Sequence, residues 1–368
     1  MAAHDNSSIN PQWLIVSLFL ACTPWPAVGL ADEKNTYDVG VSVVDITPDY
    51  PIRLNGFGNR RAECEGVSQR SFAKALAISQ HGQPPLVLVT LDSLGIRTAM
   101  VDEAAARLKV SHKLPRQNLA ITFTHSHCTP KVNGACDNIF SSAIADDHQR
   151  HIDQYTDELT NNIVEAAQQA LDSMQESQLA WATGQVTFAK NRRPNGGPVD
   201  HDLPMLVVSD AATGKLRAVY VSYACHCTTL SFNKINGDWA GYAVTMIERQ
   251  VSGAVALVSI GAGSNQKPQS GVVADKVDVA EAQGVQIATE VRRLLDGKLR
   301  PITGTPKSVL NQIALPLNKL PTREELVEQT GKGRPTDQYN ATTQLARLDR
   351  GDALLTEIAY HDSNVDIR

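Results

Sequence analysis

Beyond the first thirty-odd residues, short apolar runs rich in β-branched residues alternate with segments of helical period. Tyr37–Ile46, Phe72–Gln80, Leu86–Leu91 (LVLVTL), Leu119–Thr124 (LAITFT), Ala254–Ile260 and Val309–Leu317 read as strands, since apolar runs this short suit strands buried on one or both faces. Leu203–Ser209 and Leu216–Ala224 flank Ala-Thr-Gly-Lys and predict a hairpin. Thr98–Leu108, Ile152–Met174, Asp238–Val251 and Val277–Leu295 carry apolar residues at helical spacing. Pro51–Arg61 (PIRLNGFGNRR) is a glycine-punctuated loop, and no internal repeat or low-complexity linker is visible. Buried strands alternating with helices predict an α/β fold of one domain, a layered sandwich with mixed sheets flanked by helices. Any metal site is expected at the strand ends.

The N-terminus departs from this pattern. Trp13–Cys22 is an apolar run of ten, followed by Thr-Pro-Trp-Pro and then Gly29-Leu30-Ala31. That run is too short for a membrane span, which needs roughly 20 apolar residues, and has the length of a signal-peptide core. Residues 1–31 are therefore expected to be a signal peptide, residues 32–368 the working domain, and the protein exported to the periplasm or outside the cell. The leader carries no Lys or Arg ahead of its apolar run, unlike most signal peptides.

Composition narrows the function classes. The chain has 42% hydrophobic and 20% charged residues and a formal net charge of −5. Without basic blocks or basic–aromatic interleaving, nucleic acid is not an expected partner. Past the leader lie Cys64, Cys128, Cys136, Cys225 and Cys227, an odd number, of which Cys128 and Cys136 are close enough in sequence to bridge. No Cys-x-x-Cys pair is present, so a structural zinc ribbon is not indicated.

Three strand ends carry candidate chemistry. Leu119–Thr124 runs into His125-Ser126-His127-Cys128-Thr129-Pro130, and an extended backbone would aim both imidazoles to one side. Two imidazoles on one face can share a metal, or one can bind it while the other works on substrate. The plain alternative is a pair of exposed loop histidines. Leu216–Ala224 delivers Cys225-His226-Cys227, and a loop then leads to Asn236-Gly237-Asp238. Alternation sets the two thiols opposite His226, so they can join it at a metal only if the strand breaks. Asp238 is expected as a helix N-cap, with support of the site or a contact to substrate as the alternative. Ala254–Ile260 enters Gly261-Ala262-Gly263-Ser264-Asn265-Gln266, a glycine-rich turn that matches neither a phosphate loop nor a Gly-x-Ser-x-Gly elbow.

Taken in order, DITPDYPIRLNGFGNRR, Thr124-His-Ser-His127, Asn191-Arg-Arg-Pro194, Ala224-Cys-His226 with Asn236-Gly-Asp-Trp-Ala-Gly241, and Gly261–Gln266 resemble the catalytic domain of the neutral, non-lysosomal ceramidases. The resemblance spans Tyr37 to Tyr360. It implies a Zn2+ ion that activates water to cleave the amide of ceramide, a lipid met at a membrane surface, giving sphingosine and a fatty acid. By it, His125 and His226 fall on zinc ligands, His127 on the histidine that contacts the reacting group, and Ser264 on a serine once considered the nucleophile.

Several residues depart from that pattern. Ala262 and Asn265 stand where the family's serine motif has Asp and Pro, and Cys128-Thr129-Pro130 replaces Ser-Gly-Pro. These changes leave open a different N-acyl amide, or a soluble amide or ester. The resemblance also implies a Glu and a Tyr as further zinc ligands beyond Tyr360. Glu357 and Tyr360 are of the right type but precede those positions, and the tail His361–Arg368 lacks strand alternation. On this reading the domain is C-terminally incomplete and the chain is a poor catalyst, or an inactive remnant.

Overall fold

The computed structural model describes residues 36–366 apart from His81, so the expected signal segment lies outside the described residues. Strands β1 (Tyr37–Asp45), β2 (Phe72–Ser79) and β3 (Leu86–Leu91) form an antiparallel meander. Helix α1 (Thr98–His112) crosses over to β4 (Leu119–Phe123), parallel to β3, and α2 (Asp146–Asp172) follows. The second half repeats this plan. After β5 (Gln175–Gln185) and the short β6 (Ala189–Asn191), strands β7 (Asp202–Asp210) and β8 (Leu216–Tyr223) run antiparallel. Helix α3 (Asp238–Gln250) crosses over to β9 (Val255–Ile260), parallel to β8. Then come β10 (Gln266–Pro268), which pairs with β6, and α4 (Val277–Leu295). The sheet runs β4-β3-β2-β1-β5-β7-β8-β9, with β11 (Arg300–Pro301) beside β5.

Strand alternation builds four layers from this one sheet. Ala73, Ala75, Val87 and Val89 turn outward onto Leu108 of α1 and Ile163 and Ala167 of α2. Val207, Val219 and Val221 turn outward onto Ile247 of α3 and Ile287 and Val291 of α4. The opposite faces meet each other: Val39, Leu76 and Ile78 pack against Leu179, Val208, Ala218 and Leu257. The sheet therefore folds over on itself between helical layers, and each large inner side chain contributes about 1.5–3 kcal/mol by leaving water. The buried Lys74 ammonium ties the halves, donating to Ala256 O at 2.9 Å and to Glu248 of α3 at 2.7 Å.

Element boundaries follow the apolar pattern closely, Val277–Leu295 residue for residue. Other parts differ from expectation. β5 was not expected; its sequence QESQLAWATGQ has few β-branched residues, yet it joins the halves by pairing with both β1 and β7. After β12 (Lys307–Pro316) come α5 (Arg323–Thr330), opened by a Thr322–Glu325 capping box, and α6 (Pro335–Asp349), with Pro in its first turn. The tail also pairs, against expectation: β13 (Glu357–Asp366) runs antiparallel along all of β12. Backbone hydrogen bonds make such a ribbon, and alternation is required only where one face enters a core. Among the described residues no helix is long and apolar enough to cross a membrane.

Candidate metal centre

Folding the sheet over brings the ends of β4, β8 and β9 to one place. Beyond β4, Thr124 N donates to Leu91 O and His125 N to Ser93 O, each at 2.9 Å, so the chain clings to the loop after β3. The expected extended His-Ser-His does not form. His125 is left-handed, with φ 58°, a conformation uncommon outside glycine and held here by its surroundings. Ser126 then bridges Cys227 in parallel, and its hydroxyl donates to Asn236 O at 2.8 Å. On the other side β8 breaks after Tyr223, where Cys225 N donates to Tyr223 O, and His226 N goes to Gln266 O. The two neighbouring thiols are buried in the core, while the His226 ring lies beside those of His125 and His127.

His125, His127 and His226 converge, with one ligand atom from each lying within 4.8 Å of the others. Each ring is clamped by a backbone carbonyl: Nδ1 of His125 by Leu94 O at 2.6 Å, of His127 by Gly56 O at 3.0 Å, and of His226 by Gly263 O at 2.8 Å. A carbonyl only accepts, so all three Nδ1 atoms carry the proton and all three Nε2 atoms keep a lone pair. Burial pushes His125 down to about 4 and His127 to about 3 and lowers His226 as well, with mutual repulsion adding to the shift of the first two. The cluster is uncharged at neutral pH, the form a metal requires. His127 Nε2 is buried without a partner, a cost that a bound cation or substrate group would remove. The residues present therefore fit a divalent metal with imidazole ligands.

Two glycines make this packing possible. Gly56 has φ 89°, and a Cβ there would lie 2.4 Å from Cγ of His127. At Gly263 a Cβ would lie 2.8 Å from Cys225 N. Arg60, buried without a carboxylate, spends its guanidinium on the carbonyls of Asn55, His127 and Phe232 and on Cys128 Sγ, locking the glycine loop to the His127 loop. Arg192 donates its Nε to Ser264 O at 2.9 Å, and its charge depresses both His125 and His226. Ser264 itself is exposed, and among the described residues no hydrogen bond joins its hydroxyl to an imidazole.

Asp238 is not the N-cap. Gly237 takes that position, and Asp238 is the first helical residue, left-handed at φ 55° and fully buried. Its carboxylate accepts from Leu230 N at 2.8 Å and Trp239 N at 2.7 Å, while burial raises its pKa to about 6. Trp239 in turn donates its indole N–H to His226 O at 3.0 Å, which ties the first turn of α3 to the His226 loop. No bridge joins Cys128, which is buried, to Cys136, which is exposed; all five described cysteines are free. Burial holds the Cys128 thiol near 12 and raises Cys225 and Cys227 too, so none offers a thiolate. Sequence reasoning missed Gly56, Leu94, Arg60 and Arg192. Gly56 and Arg60 lie in the quoted LNGFGNRR and Arg192 in NRRP, so the motifs were visible and their geometry was not.

Comparison with known proteins agrees with this architecture. Among curated proteins no sequence match is found. A solved ceramidase complexed with C2 superposes with TM-score 0.67 at 20% identity, over 80% of this chain and 49% of that one. A neutral ceramidase from Pseudomonas aeruginosa gives TM-score 0.70 at 18% identity, over 90% of this chain and 61% of that one. The chain thus spans about half to three-fifths of their length, and at these identities the likeness speaks for the fold. The sequence pattern of the neutral/alkaline non-lysosomal ceramidases, N-terminal region, matches residues 37–275, and the chain belongs to that family.

Proposed function

We propose that this protein is a zinc-dependent amidohydrolase cleaving the N-acyl bond of ceramide or a closely related N-acyl lipid. The observation that carries the reading is the set of three neutral imidazoles, each with Nδ1–H fixed on a carbonyl and with one ligand atom from each within 4.8 Å of the others. His125 and His226 hold the ion, from opposite halves of the sheet. A bound zinc ion supplies a water acidified toward a pKa of about 7 and polarises the amide carbonyl. His127 faces the reacting group. With Nδ1–H anchored on Gly56, its Nε2 lone pair accepts a hydrogen bond from the attacking water and orients it. Arg192, held by Ser264 O, sets a positive charge beside the cluster for the oxyanion. Ser264 serves through that carbonyl and not as a nucleophile, since among the described residues no hydrogen bond joins its hydroxyl to a base. Export, with action on lipid at a membrane surface, suits the apolar leader and the lipid substrate.

The test is metal content and ceramide hydrolysis of the purified chain with added zinc. Ser264→Ala is expected to keep measurable turnover, and its complete inactivity with zinc and fold intact would overturn the water mechanism. Faster hydrolysis of a short soluble amide than of ceramide would reassign the substrate. Tight zinc without any turnover would leave a binding protein. A second reading rests on the unpartnered, buried Nε2 of His127: this imidazole completes a three-histidine ligand set, with water as the fourth ligand. His127→Ala separates the two, keeping most zinc if His127 serves the substrate and losing it if His127 is a ligand.

A further inference from the structure

The two half-sheets do not close on each other everywhere. Between the inner faces of β2, β3 and β4 on one side and β5, β7 and β8 on the other lies a cavity of about 450 Å3. Leu88, Ala120, Thr122, Trp181, Leu206 and Tyr220 are among its lining, and no lining residue belongs to the loops that carry His125, His127 or His226. The two polar side chains in that set are turned elsewhere, Thr122 to Val89 O at 3.4 Å and Tyr220 to Ser259 Oγ at 2.7 Å. Small side chains at Ala120 and Thr122 leave the space unfilled. The space opens to solvent and its walls are mainly apolar, the kind of lining that small-molecule pockets share. Such a space favours an apolar occupant. Its rim carries the opposite chemistry. Trp181 is 39% exposed, and Arg300, its partner across the β5–β11 pairing, holds its guanidinium carbon 5.0 Å from the indole centroid. Among the described residues Arg300 has no carboxylate partner.

We propose that this cavity binds a long-chain fatty carboxylate, with the alkyl chain between the half-sheets and the head group on Arg300. At about 30 Å3 per chain carbon, close to a water's share of the liquid, the space takes roughly fifteen carbons. The site is separate from the histidine cluster and does not rest on the hydrolase reading.

Titration of the 368-residue chain with palmitate, kept below its aggregation concentration and followed by calorimetry, is expected to show one saturable site per chain. Hexadecanol and hexadecylamine should bind about tenfold more weakly. Arg300→Gln is expected to bring palmitate down to the hexadecanol level without changing hexadecanol. Ala120→Phe, which fills the cavity from β4, should abolish both, with its melting curve checking the fold. Should that variant not fold, Leu206→Trp fills the space from the opposite wall. His125→Ala is expected to leave palmitate binding unchanged. Absence of a saturable site in the unmodified chain would overturn the proposal, as would binding that survives cavity filling or disappears with His125→Ala.

Discussion

The two halves of the sheet share a plan and divide the chemistry unequally. In each, an inner strand, a crossover helix and a parallel edge strand present two loops at the same end: those after β3 and β4 in the first half, those after β8 and β9 in the second. In the first half the edge-strand loop supplies the imidazole and the inner-strand loop the clamping carbonyl, His125 on Leu94. In the second the roles are exchanged: the inner-strand loop supplies His226 and the edge-strand loop supplies Gly263. The first half adds a further imidazole, His127, clamped by the glycine loop after β1. A repeated topology thus offers paired loops at one end of the fold, and the site arises because the halves use them differently. The Ser126–Cys227 bridge joins the two sides directly beneath the rings.

Substitutions matched across the halves sharpen this comparison. The largest effect is expected from the imidazoles that hold the ion. His125→Ala and His226→Ala should each lower zinc affinity by at least about hundredfold, more than loss of a supporting residue normally does. A much smaller loss from one of them, read by metal competition titration, would show that a single half carries the site. Next come the glycines. Gly263→Ala forces a Cβ against the Cys225 backbone and should cost zinc affinity about tenfold, whereas Gly56→Ala forces one onto the His127 ring and should lower kcat about tenfold or more with zinc retained. Equal zinc loss in both would favour His127 as a ligand.

Acidity offers a third test. With metal removed, His125 and His127 titrate near 4 and 3 in the folded chain, against an ordinary value of 6.5. Between pH 6.5 and 3 the unfolded chain therefore binds more protons, so stability is expected to fall as pH falls through that window. The melting temperature of the metal-free chain from pH 7 to 4 should drop, and less steeply in a His125→Ala, His127→Ala double variant. An equal slope in the two would show that the rings are not held neutral. The smallest effect is expected beneath the site. Trp239→Phe removes the bond to His226 O and Ser126→Ala the bond to Asn236 O, each costing about 1 kcal/mol by urea unfolding. Their double variant should show coupling if the two halves are braced together here.

Much of the scaffold was legible in the chain. Leu86–Leu91 is buried along nearly its whole length and the Val277–Leu295 helix along one face, so their apolar pattern states both type and extent. Strand β5 was not legible, because a half-exposed segment held by neighbours on both edges needs little β propensity of its own. The capping box at Thr322 and the proline opening α6 were signals available to a closer reading. At the site, His125, His127 and His226 were singled out by their place at strand ends. For the first pair a left-handed turn at His125, and not the expected extended strand, sets the two rings together.

The sequence by itself determined that His125, His127 and His226 stand just past strand ends, because residue type and strand periodicity are local properties. Only the tertiary structure decided which nitrogen of each imidazole is free, that all three rings are uncharged, and that loops from two halves of one sheet bring the three rings together. Those outcomes depend on the carbonyls of Leu94, Gly56 and Gly263, on burial, and on a sheet folded over on itself. A backbone carbonyl is the same group in every residue, so no sequence pattern marks which one will close on a ring.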